Sequence, residues 1–240
     1  MDSNKLSKRL QQVADFVVEF SEKPSRLADI GTDHAYLPVN LMKAGKIDFA
    51  VAGDVVEGPY QSACREVANN GLTDKIDVRL ASGLQAVEPD DLINVVTICG
   101  MGGRLIQEIL EEGVDHLTSN HLLVLQPNMA EYQLRDWLDQ QGYTIVDEAI
   151  IQESRHFYEI IVASSRKLDH QKPLSEEEKF FGPFLLKQKT SRVFQAKWHK
   201  EANKIKKIIH SIQESSKQHS RALRTQELEL ERIQEVLIDD

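Results

Sequence analysis

The feature that most constrains the fold of this chain is a regular alternation of short apolar segments and amphipathic segments between residues 26 and 141. The apolar segments predict five strands, at residues 26–31, 49–54, 76–81, 95–99 and 122–126. Helical patterns separate and follow them, at residues 36–44, 59–69, 103–111 and 131–141. Such alternation is typical of an α/β fold in which helices cover both faces of a parallel sheet. Two more strand patterns, 143–152 and 155–163, follow without a helix between them and predict a closing antiparallel pair in a seven-stranded sheet.

Helical patterns also flank this alternation on both sides. Apolar residues recur in steps of three and four over residues 6–20, which predicts an amphipathic helix. Ser175 and Glu178 form a capping-box pattern at the start of a short helix. Residues 184–214 and 223–237 then carry apolar residues at heptad spacing on either side of a serine-containing turn. The pattern predicts an all-α, coiled-coil-like helical hairpin at the C-terminus.

Charge is distributed unevenly between the two parts. Residues 1–165, the predicted α/β domain, contain 13 Lys and Arg against 26 Asp and Glu, a net charge of −13. Residues 166–240, the predicted helical domain, contain 16 against 12, and residues 179–224 within them contain 12 against 2, a net charge of +10. An acidic body joined to a basic arm is expected to direct polyanions toward the arm.

Composition excludes several classes of protein. The chain has 240 residues, of which 41% are hydrophobic and 28% charged, as in ordinary globular proteins and unlike disordered chains. No window reaches the ~18 apolar residues of a membrane span, and the N-terminal residues lack the apolar region of a secretory signal. Cys64 and Cys99 are not part of a CxxC pair. We therefore expect a cytoplasmic protein with reduced thiols and no metal site.

Acidic residues surround a glycine at the ends of the first two predicted strands. Asp29, Gly31 and Asp33 lie where the first strand meets the first helix, and Asp54 follows 23 residues after Gly31. Ligands of open α/β sheets bind at the carboxyl ends of the strands. A carboxylate about 20 residues after a glycine turn is placed to bind both hydroxyls of an adenosine ribose. A plain strand–helix turn, with Asp54 capping the following helix, remains the alternative interpretation.

Small and amide-bearing residues end the other parallel strands. Ser82 and Gly83 follow the third strand, and residues 100–103 contain three glycines after the fourth. Glycines at such positions allow a ligand to lie close to the backbone. Gln126 and Asn128 bring amide groups to the end of the fifth strand. Simple turns or helix packing are the alternatives for each segment.

Together these segments resemble the class I methyltransferases that use S-adenosylmethionine, which have a Rossmann-like α/β fold with a terminal antiparallel pair of strands. More specifically, the chain resembles the bacterial tRNA adenine-N1 methyltransferase family that acts on adenine 22, in which a C-terminal helical hairpin also occurs. The resembling pieces are Leu6-Ser7-Lys8-Arg9-Leu10, Asp29-Ile30-Gly31-Thr32-Asp33-His34, Gly100-Met101-Gly102-Gly103 and Gln126-Pro127-Asn128. The chain departs from the wider class at Asp33 and Ala35, where glycines are usual.

The resemblance implies S-adenosylmethionine as the cofactor and tRNA as the substrate. Asp29, Gly31 and Asp33 would surround the cationic methionine portion of the cofactor, and Asp54 would hold its ribose. The cofactor-binding residues implied in this way are Asp29, Gly31, Thr32, Asp33, His34, Asp54, Val55, Ser82, Gly83, Leu84, Cys99, Gly100 and Met101.

The reaction that the resemblance implies is an attack by N1 of adenine on the methyl group. N1 carries an in-plane lone pair, so positioning and exclusion of water can supply most of the acceleration. The base gains positive charge, so nearby acceptors stabilise the transition state more than the substrate. Candidate catalytic residues are Asn128 and Gln126 at the base edge, Asp33 through its field and Tyr36 by stacking. A structural role remains open for each.

The basic arm is the candidate surface for tRNA. Folded RNA is recognised largely through its shape and phosphates, so affinity should fall steeply with salt. The candidate tRNA contacts are Lys8, Arg9, Arg155, Lys187, Lys189, Arg192, Lys197, Lys200, Lys204 and Lys207. A solvated coiled-coil surface is the alternative interpretation of the arm.

Other functions fit parts of the same sequence. A methyltransferase of a small molecule or protein would share the fold and use the arm for dimerisation. A non-catalytic RNA-binding protein with a relict cofactor site is the other alternative, although four ligand-like strand ends argue against it. An NAD-dependent dehydrogenase is disfavoured because the dinucleotide fingerprint is incomplete. The sequence fixes neither the oligomeric state, for which we expect a monomer, nor the tRNA isoacceptors.

Overall fold

The computed structural model describes residues 3–117, 119–166, 172–214 and 220–237. Contacts divide the chain into two compact units, Met1–Phe184 and Leu185–Asp240. The elements of the first unit are α1 (Lys8–Phe20), β1 (Arg26–Ile30), α2 (Tyr36–Lys43), β2 (Phe49–Asp54), α3 (Glu57–Asn69), β3 (Ile76–Leu80), β4 (Val95–Met101), α4 (Gly103–Gly113), β5 (Leu122–Pro127), α5 (Glu131–Gln140), β6 (Thr144–Glu153), β7 (His156–Ser164) and α6 (Glu176–Phe181).

The strands form one seven-stranded sheet in the order β3-β2-β1-β4-β5-β7-β6. Strands β1 to β5 are parallel, and β7 runs antiparallel to both β5 and β6. The chain moves outward from β1 to β3 and then returns to place β4 on the other side of β1. This arrangement puts a topological switch point at the carboxyl ends of β1 and β4. The predicted seven-stranded α/β sheet with a closing antiparallel pair is confirmed.

Alternate residues of the parallel strands enter two separate cores. Leu27 of β1 packs in the cluster that includes Val17 of α1 and Leu41 of α2. Ala28, the next residue, packs in the cluster that includes Ile106 of α4. Strands buried on both faces explain why their sequences are continuously apolar rather than alternating.

A buried charge cluster joins α5 to the antiparallel strands. Arg135 of α5 has no exposed surface, and its Nε donates to Glu148 of β6 at 2.6 Å while another nitrogen donates to Glu159 of β7. Phe184 N donates to the same Glu148 carboxylate at 3.0 Å. A Cβ at Gly182, where φ is +91°, would lie 2.5 Å from Glu148 Oε2, so this turn requires glycine.

The second unit contains a short 3-10 turn (Leu186–Gln188) followed by α7 (Arg192–Glu214) and α8 (Ser220–Gln234). Helices α7 and α8 pack against each other, and Gln195 Nε2 donates to Val236 O at 2.9 Å. Helix α7 begins eight residues later than its predicted start at residue 184, because the 3-10 turn comes first and the Ser191 hydroxyl accepts from Phe194 N at 3.4 Å.

Parts of the predicted organisation stay untested. Five residues of the predicted linker, 167–171, and most of the predicted turn, 215–219, lie outside the described residues. The predicted domains, 1–165 and 166–240, remain a prediction. The compact units divide later in the chain, after Phe184, so α6 falls in the first unit. In the described part of the chain, no helix is long and apolar enough to cross a membrane.

Candidate functional site

A cavity of about 590 Å³ opens at the switch point, beside the carboxyl ends of β1, β2 and β4. Its volume lies in the range of small-molecule and cofactor sites, roughly 300–1,000 Å³. The sequence-predicted residues that line it are Arg9, Asp29, Gly31, Thr32, Asp33, His34, Tyr36, Asp54, Val55, Ser82, Gly83, Cys99, Gly100 and Met101. The structure therefore brings together most of the predicted cofactor residues.

Asp29 forms the buried floor of this cavity and is only 5% exposed. Thr97 Oγ1 donates to its Oδ1 at 2.7 Å, and Thr32 Oγ1 donates to its Oδ2 at 2.6 Å. Burial raises the pKa of Asp29, and the two hydroxyl donors partly oppose that rise. Within the described residues, no Lys or Arg forms an ion pair with Asp29. The carboxylate is thus placed to receive a cation from a ligand.

The loop after β1 has an unusual backbone. Gly31, Asp33 and Ala35 have φ values of +71°, +58° and +54°. The positive φ favours glycine at position 31, and a Cβ there would lie 2.1 Å from Met101 Cε, so the flexible end of Met101 would also have to move. Asp33 and Ala35 hold a left-handed conformation that glycine adopts more easily, which explains why glycines are usual there in the wider class.

Asp54 connects this loop to the start of α3. Its Oδ2 accepts from Asp33 N at 3.2 Å and its Oδ1 from Val56 N at 2.9 Å. The residue is 8% exposed and lines the cavity. Each carboxylate oxygen has a further lone pair, so the group can still accept two hydroxyl hydrogens.

An aromatic pair lies at the edge of the cavity. The rings of His34 and Tyr36 are stacked, with centroids 5.1 Å apart and an interplanar angle of 15°. His34 Nε2 lies 3.4 Å from Asp33 Oδ1, and both side chains are substantially exposed. A base that stacks on Tyr36 must therefore use the ring face that His34 does not cover, or displace His34.

Gln126 does not fit the predicted role at the base edge. It has no exposed surface, and its Oε1 accepts from Arg9 and from Gly100 N, the latter at 3.0 Å. Its Nε2 donates to Pro127 O at 2.7 Å and to Asn128 Oδ1 at 3.1 Å. The sequence correctly placed Gln126 at the end of β5, but its amide faces protein groups rather than the cavity.

Asn128 and Leu84 differ in their access to ligands. Asn128 is exposed, and its Nδ2 donates to Gly100 O at 2.7 Å. Leu84 was among the predicted cofactor-binding residues, yet it is 1% exposed and does not line the cavity. The Leu84 side chain instead packs in the core against Gly113 of α4. A Cβ on Gly113 would lie only 2.3 Å from Leu84 Cβ.

Cys99 lines the cavity wall without the properties of a nucleophile. Burial raises the pKa of its thiol, and the charge of Asp29 raises it further, against the opposing effect of Arg9. The thiol is the stable form at neutral pH, and the thiolate is the nucleophile. Among the described residues, no group of three or more His, Cys, Asp or Glu side chains is arranged to hold a metal ion.

Most candidate tRNA contacts are exposed, and two are not. The exposed ones are Lys8, Arg155, Lys187, Lys189, Arg192, Lys200, Lys204 and Lys207. Lys197 is only 9% exposed, and its Nζ lies 4.8 Å from the Trp198 ring centroid, so little of it reaches the open surface. Arg9 points into the cavity instead of lying on the outer surface of α1.

Several residues in or behind the cavity were not predicted. Thr97 is the clearest case: it does not line the cavity but donates to Asp29, and it is a fully buried polar residue inside the otherwise apolar strand β4. A lone Thr in such a strand is a signal that could have been used. Val56, Leu105 and Ile109 line the cavity and supply apolar surface. Leu105 and Ile109 are four residues apart on α4, the spacing of one helical face.

The side chains fit the cofactor that the resemblance implies. S-adenosylmethionine carries a sulfonium, an ammonium group and a ribose diol, and the cavity offers the buried carboxylate of Asp29 and the two free acceptor positions of Asp54. The glycines at 31 and 100, both with positive φ, let a ligand approach the backbone.

Comparisons with known proteins agree with this site. Residues 27–235 match the family model of tRNA (adenine(22)-N(1))-methyltransferase. A Bacillus subtilis protein of that name is 36% identical over 99% of both chains. A Streptococcus agalactiae structure described as a protein of the NADB-Rossmann superfamily has 46% identity, a TM-score of 0.86 and 99% coverage of both chains. A Streptococcus pneumoniae structure in complex with S-adenosyl-L-methionine has 43% identity, a TM-score of 0.84, and coverage of 98% of this chain and 100% of that one.

The family model covers most of the chain, and the Bacillus subtilis relative extends over nearly all of it. The seven-stranded sheet with its terminal antiparallel pair, the acidic cavity at the strand ends and the C-terminal helices are what the sequence resemblance led us to expect. The chain belongs to the tRNA (adenine(22)-N(1))-methyltransferase family, whose members are class I methyltransferases dependent on S-adenosylmethionine.

Proposed function

We propose that the cavity at the switch point carries out the reaction of the family: transfer of a methyl group from S-adenosylmethionine to N1 of adenine 22 in tRNA. The observation that carries this proposal is the pair of buried carboxylates, Asp29 and Asp54, in one cavity of cofactor size. When bound, the cofactor supplies an electrophilic methyl group on a sulfonium.

The buried carboxylates bind and orient the cofactor. Asp29 faces the cationic methionine portion and gains the charge partner that the protein does not give it. Asp54 accepts both ribose hydroxyls while its backbone contacts keep the loop at Asp33 in place. Val55, Ser82 and Gly83 line the same cavity and surround the adenine end.

The substrate side needs positioning rather than a strong base. Adenine N1 has its own lone pair, so alignment with the methyl carbon and exclusion of water account for most of the acceleration. Asp33, beside the stacked His34 and Tyr36 rings, supplies negative charge near a base that becomes cationic. Asn128 offers an amide at the exposed rim, fixed by its bond to Gly100 O.

The tRNA is held mainly through its phosphates by the basic face of α7. Exposed lysines along that helix suit polyanion binding, whereas residues 1–165 have a net charge of −13 and repel phosphates. N1 lies on the Watson–Crick edge, so adenine 22 must be unpaired before it can enter the cavity. We further propose that the chain acts in the cytoplasm as a monomer, which light scattering of the purified protein tests.

The test is methyl transfer to defined transcripts. Purified protein is incubated with radiolabelled S-adenosylmethionine and an unmodified tRNA transcript, and the nucleosides are separated after digestion. We expect label in 1-methyladenosine, with none in a transcript carrying guanine at position 22 and little in the Asp54→Ala variant. Label in another nucleoside, or equal label in the altered transcript, would contradict the proposal.

A further inference from the structure

Arg9 is the one Lys or Arg among the described residues that line the cavity. It lies in the first turn of α1, yet its guanidinium reaches the ends of β4 and β5. The same cavity is lined by the carboxylates of Asp29, Asp33 and Asp54. A single fixed cation among these carboxylates indicates that Arg9 has a specific function in the cavity.

The guanidinium of Arg9 is held by two groups. Its Nη1 donates to Oε1 of the fully buried Gln126, and its central carbon lies 5.1 Å from the centroid of the Tyr158 ring. Gln126 is itself fixed by Gly100 N, Pro127 O and Asn128 Oδ1. The amide therefore connects α1 to the rim of β4 and leaves Arg9 little freedom.

Most of the hydrogen-bonding capacity of Arg9 remains available. A guanidinium has five N–H donors, and in the described residues one bond, to a neutral amide, is formed. No described carboxylate pairs with Arg9. A guanidinium at this position repels both the sulfonium and an adenine that gains positive charge, so it cannot serve as a direct partner of the reacting base. It is placed to receive an anion.

We infer that Arg9 binds an anionic oxygen of one of the two reactants, and that Gln126 is a positioning residue that holds Arg9 for this purpose. The inference rests on the proposed function, because it takes the ligands from it. Two anions enter the cavity region in that reaction: the carboxylate of the cofactor's methionine portion and the phosphate of the target nucleotide. Guanidinium recognises both in the same way, through paired N–H donors.

The experiment compares two ligands that differ in the amino-acid portion. S-adenosylhomocysteine carries the carboxylate, and 5′-methylthioadenosine lacks it. Affinities are measured by calorimetry for the wild type, for Arg9→Met, and for Lys23→Met. Lys23 is exposed and precedes β1, at the opposite end of the sheet, so its variant controls for the loss of one positive charge. KM and kcat for tRNA are measured on the same proteins.

If Arg9 binds the carboxylate, Arg9→Met weakens S-adenosylhomocysteine by about tenfold to a hundredfold and leaves 5′-methylthioadenosine unchanged. If Arg9 binds the phosphate, both nucleoside affinities stay unchanged and KM for tRNA rises by about tenfold or more, with kcat less affected. Equal losses for the two nucleosides, or no change in either affinity or in KM, overturn the inference. Failure of the wild type to bind S-adenosylhomocysteine would instead contradict the proposed function.

The role of Gln126 is tested in the same assay. Gln126→Met keeps the side-chain length and removes the bonds to Arg9 and Gly100. We expect it to weaken the same ligand as Arg9→Met, and to add nothing further in the double variant, because it acts through Arg9. Additive losses, or a loss for the ligand that Arg9→Met leaves unaffected, would show that Gln126 does not position Arg9.

Discussion

Two groups of buried carboxylates in the first unit differ in what surrounds their charge. Glu148 and Glu159 share the guanidinium of Arg135, which has no exposed surface. Among the residues that the structure describes, Asp29 has only the hydroxyls of Thr32 and Thr97 as side-chain partners. Burial raises the pKa of Glu148 as it does that of Asp29, but at Glu148 a neighbouring cation opposes the rise.

The difference separates a group that stabilises the fold from a group that is kept for a ligand. Burial acts to lower the pKa of Arg135, and the two carboxylates overcome this and raise it, so the guanidinium stays charged. Its cluster fixes α5 to β6 and β7. Asp29 instead costs stability in the free protein, and a cationic ligand offsets that cost.

The largest effect should follow from removing the internal cation. Arg135→Met leaves two buried carboxylates without the cation that they share, and we expect the free energy of unfolding to fall by about 3–5 kcal/mol. Denaturant unfolding followed by circular dichroism measures the loss. A triple variant that also replaces Glu148 and Glu159 by Leu should recover most of it. A loss below about 1 kcal/mol in the single variant would show that this cluster does not hold the fold.

A smaller effect, mainly on binding, is expected at Asp54. Asp54→Ala removes the acceptor of two ribose hydroxyls and should weaken S-adenosylmethionine by about 2–4 kcal/mol, roughly thirtyfold to a thousandfold. Asp54→Asn keeps one acceptor oxygen and should lose less. Calorimetry measures both affinities. An Asn variant as weak as the Ala variant would mean that shape at this position matters less than charge.

The raised pKa of Asp29 predicts a pH dependence with opposite signs for stability and binding. The folded chain holds this proton more tightly than the unfolded chain, so the carboxyl stabilises the fold below its ordinary pKa of 3.8. That contribution is lost as the pH rises through the raised pKa. Affinity for the cationic cofactor should rise over the same interval, by up to about tenfold per pH unit.

Calorimetry from mildly acidic to neutral pH, on the wild type and on Asp29→Asn, measures this dependence. The variant has no carboxyl to titrate at this position, so its affinity should vary less with pH. Parallel pH profiles for the two proteins would rule out Asp29 as the group responsible.

The smallest effect is expected at Ala35. Ala35→Gly relieves a left-handed backbone, worth about 1 kcal/mol, but it loses a fully buried methyl group and gives the unfolded chain more freedom, each worth roughly the same. The two losses together outweigh the one gain, so the free energy of unfolding, measured by thermal unfolding, should fall by about 1 kcal/mol. A gain of 2 kcal/mol or more, on the order of two such terms, would mean that the loop is more strained than its φ angles indicate.

The sequence predicted the sheet and the positions of Asp29 and Asp54 at the ends of its first two strands, because strand ends are marked by local signals that need no knowledge of distant residues. It failed where contacts join distant parts of the chain. Arg9 and Gln126 are 117 residues apart, and only the folded α1 brings them together. The sequence likewise could not show that Gln126 faces the protein, or that Lys197 is buried.

The most direct test of the distinction between the two groups of carboxylates is Asp29→Asn, with unfolding free energy and S-adenosylmethionine affinity measured on the same preparation. Asn keeps the size of the side chain and removes the uncompensated charge. We predict a free protein at least as stable as the wild type, with affinity for the cofactor at least about tenfold weaker. A variant that unfolds several kcal/mol more easily but binds the cofactor as the wild type does would show that Asp29 serves the fold, as Arg135 does.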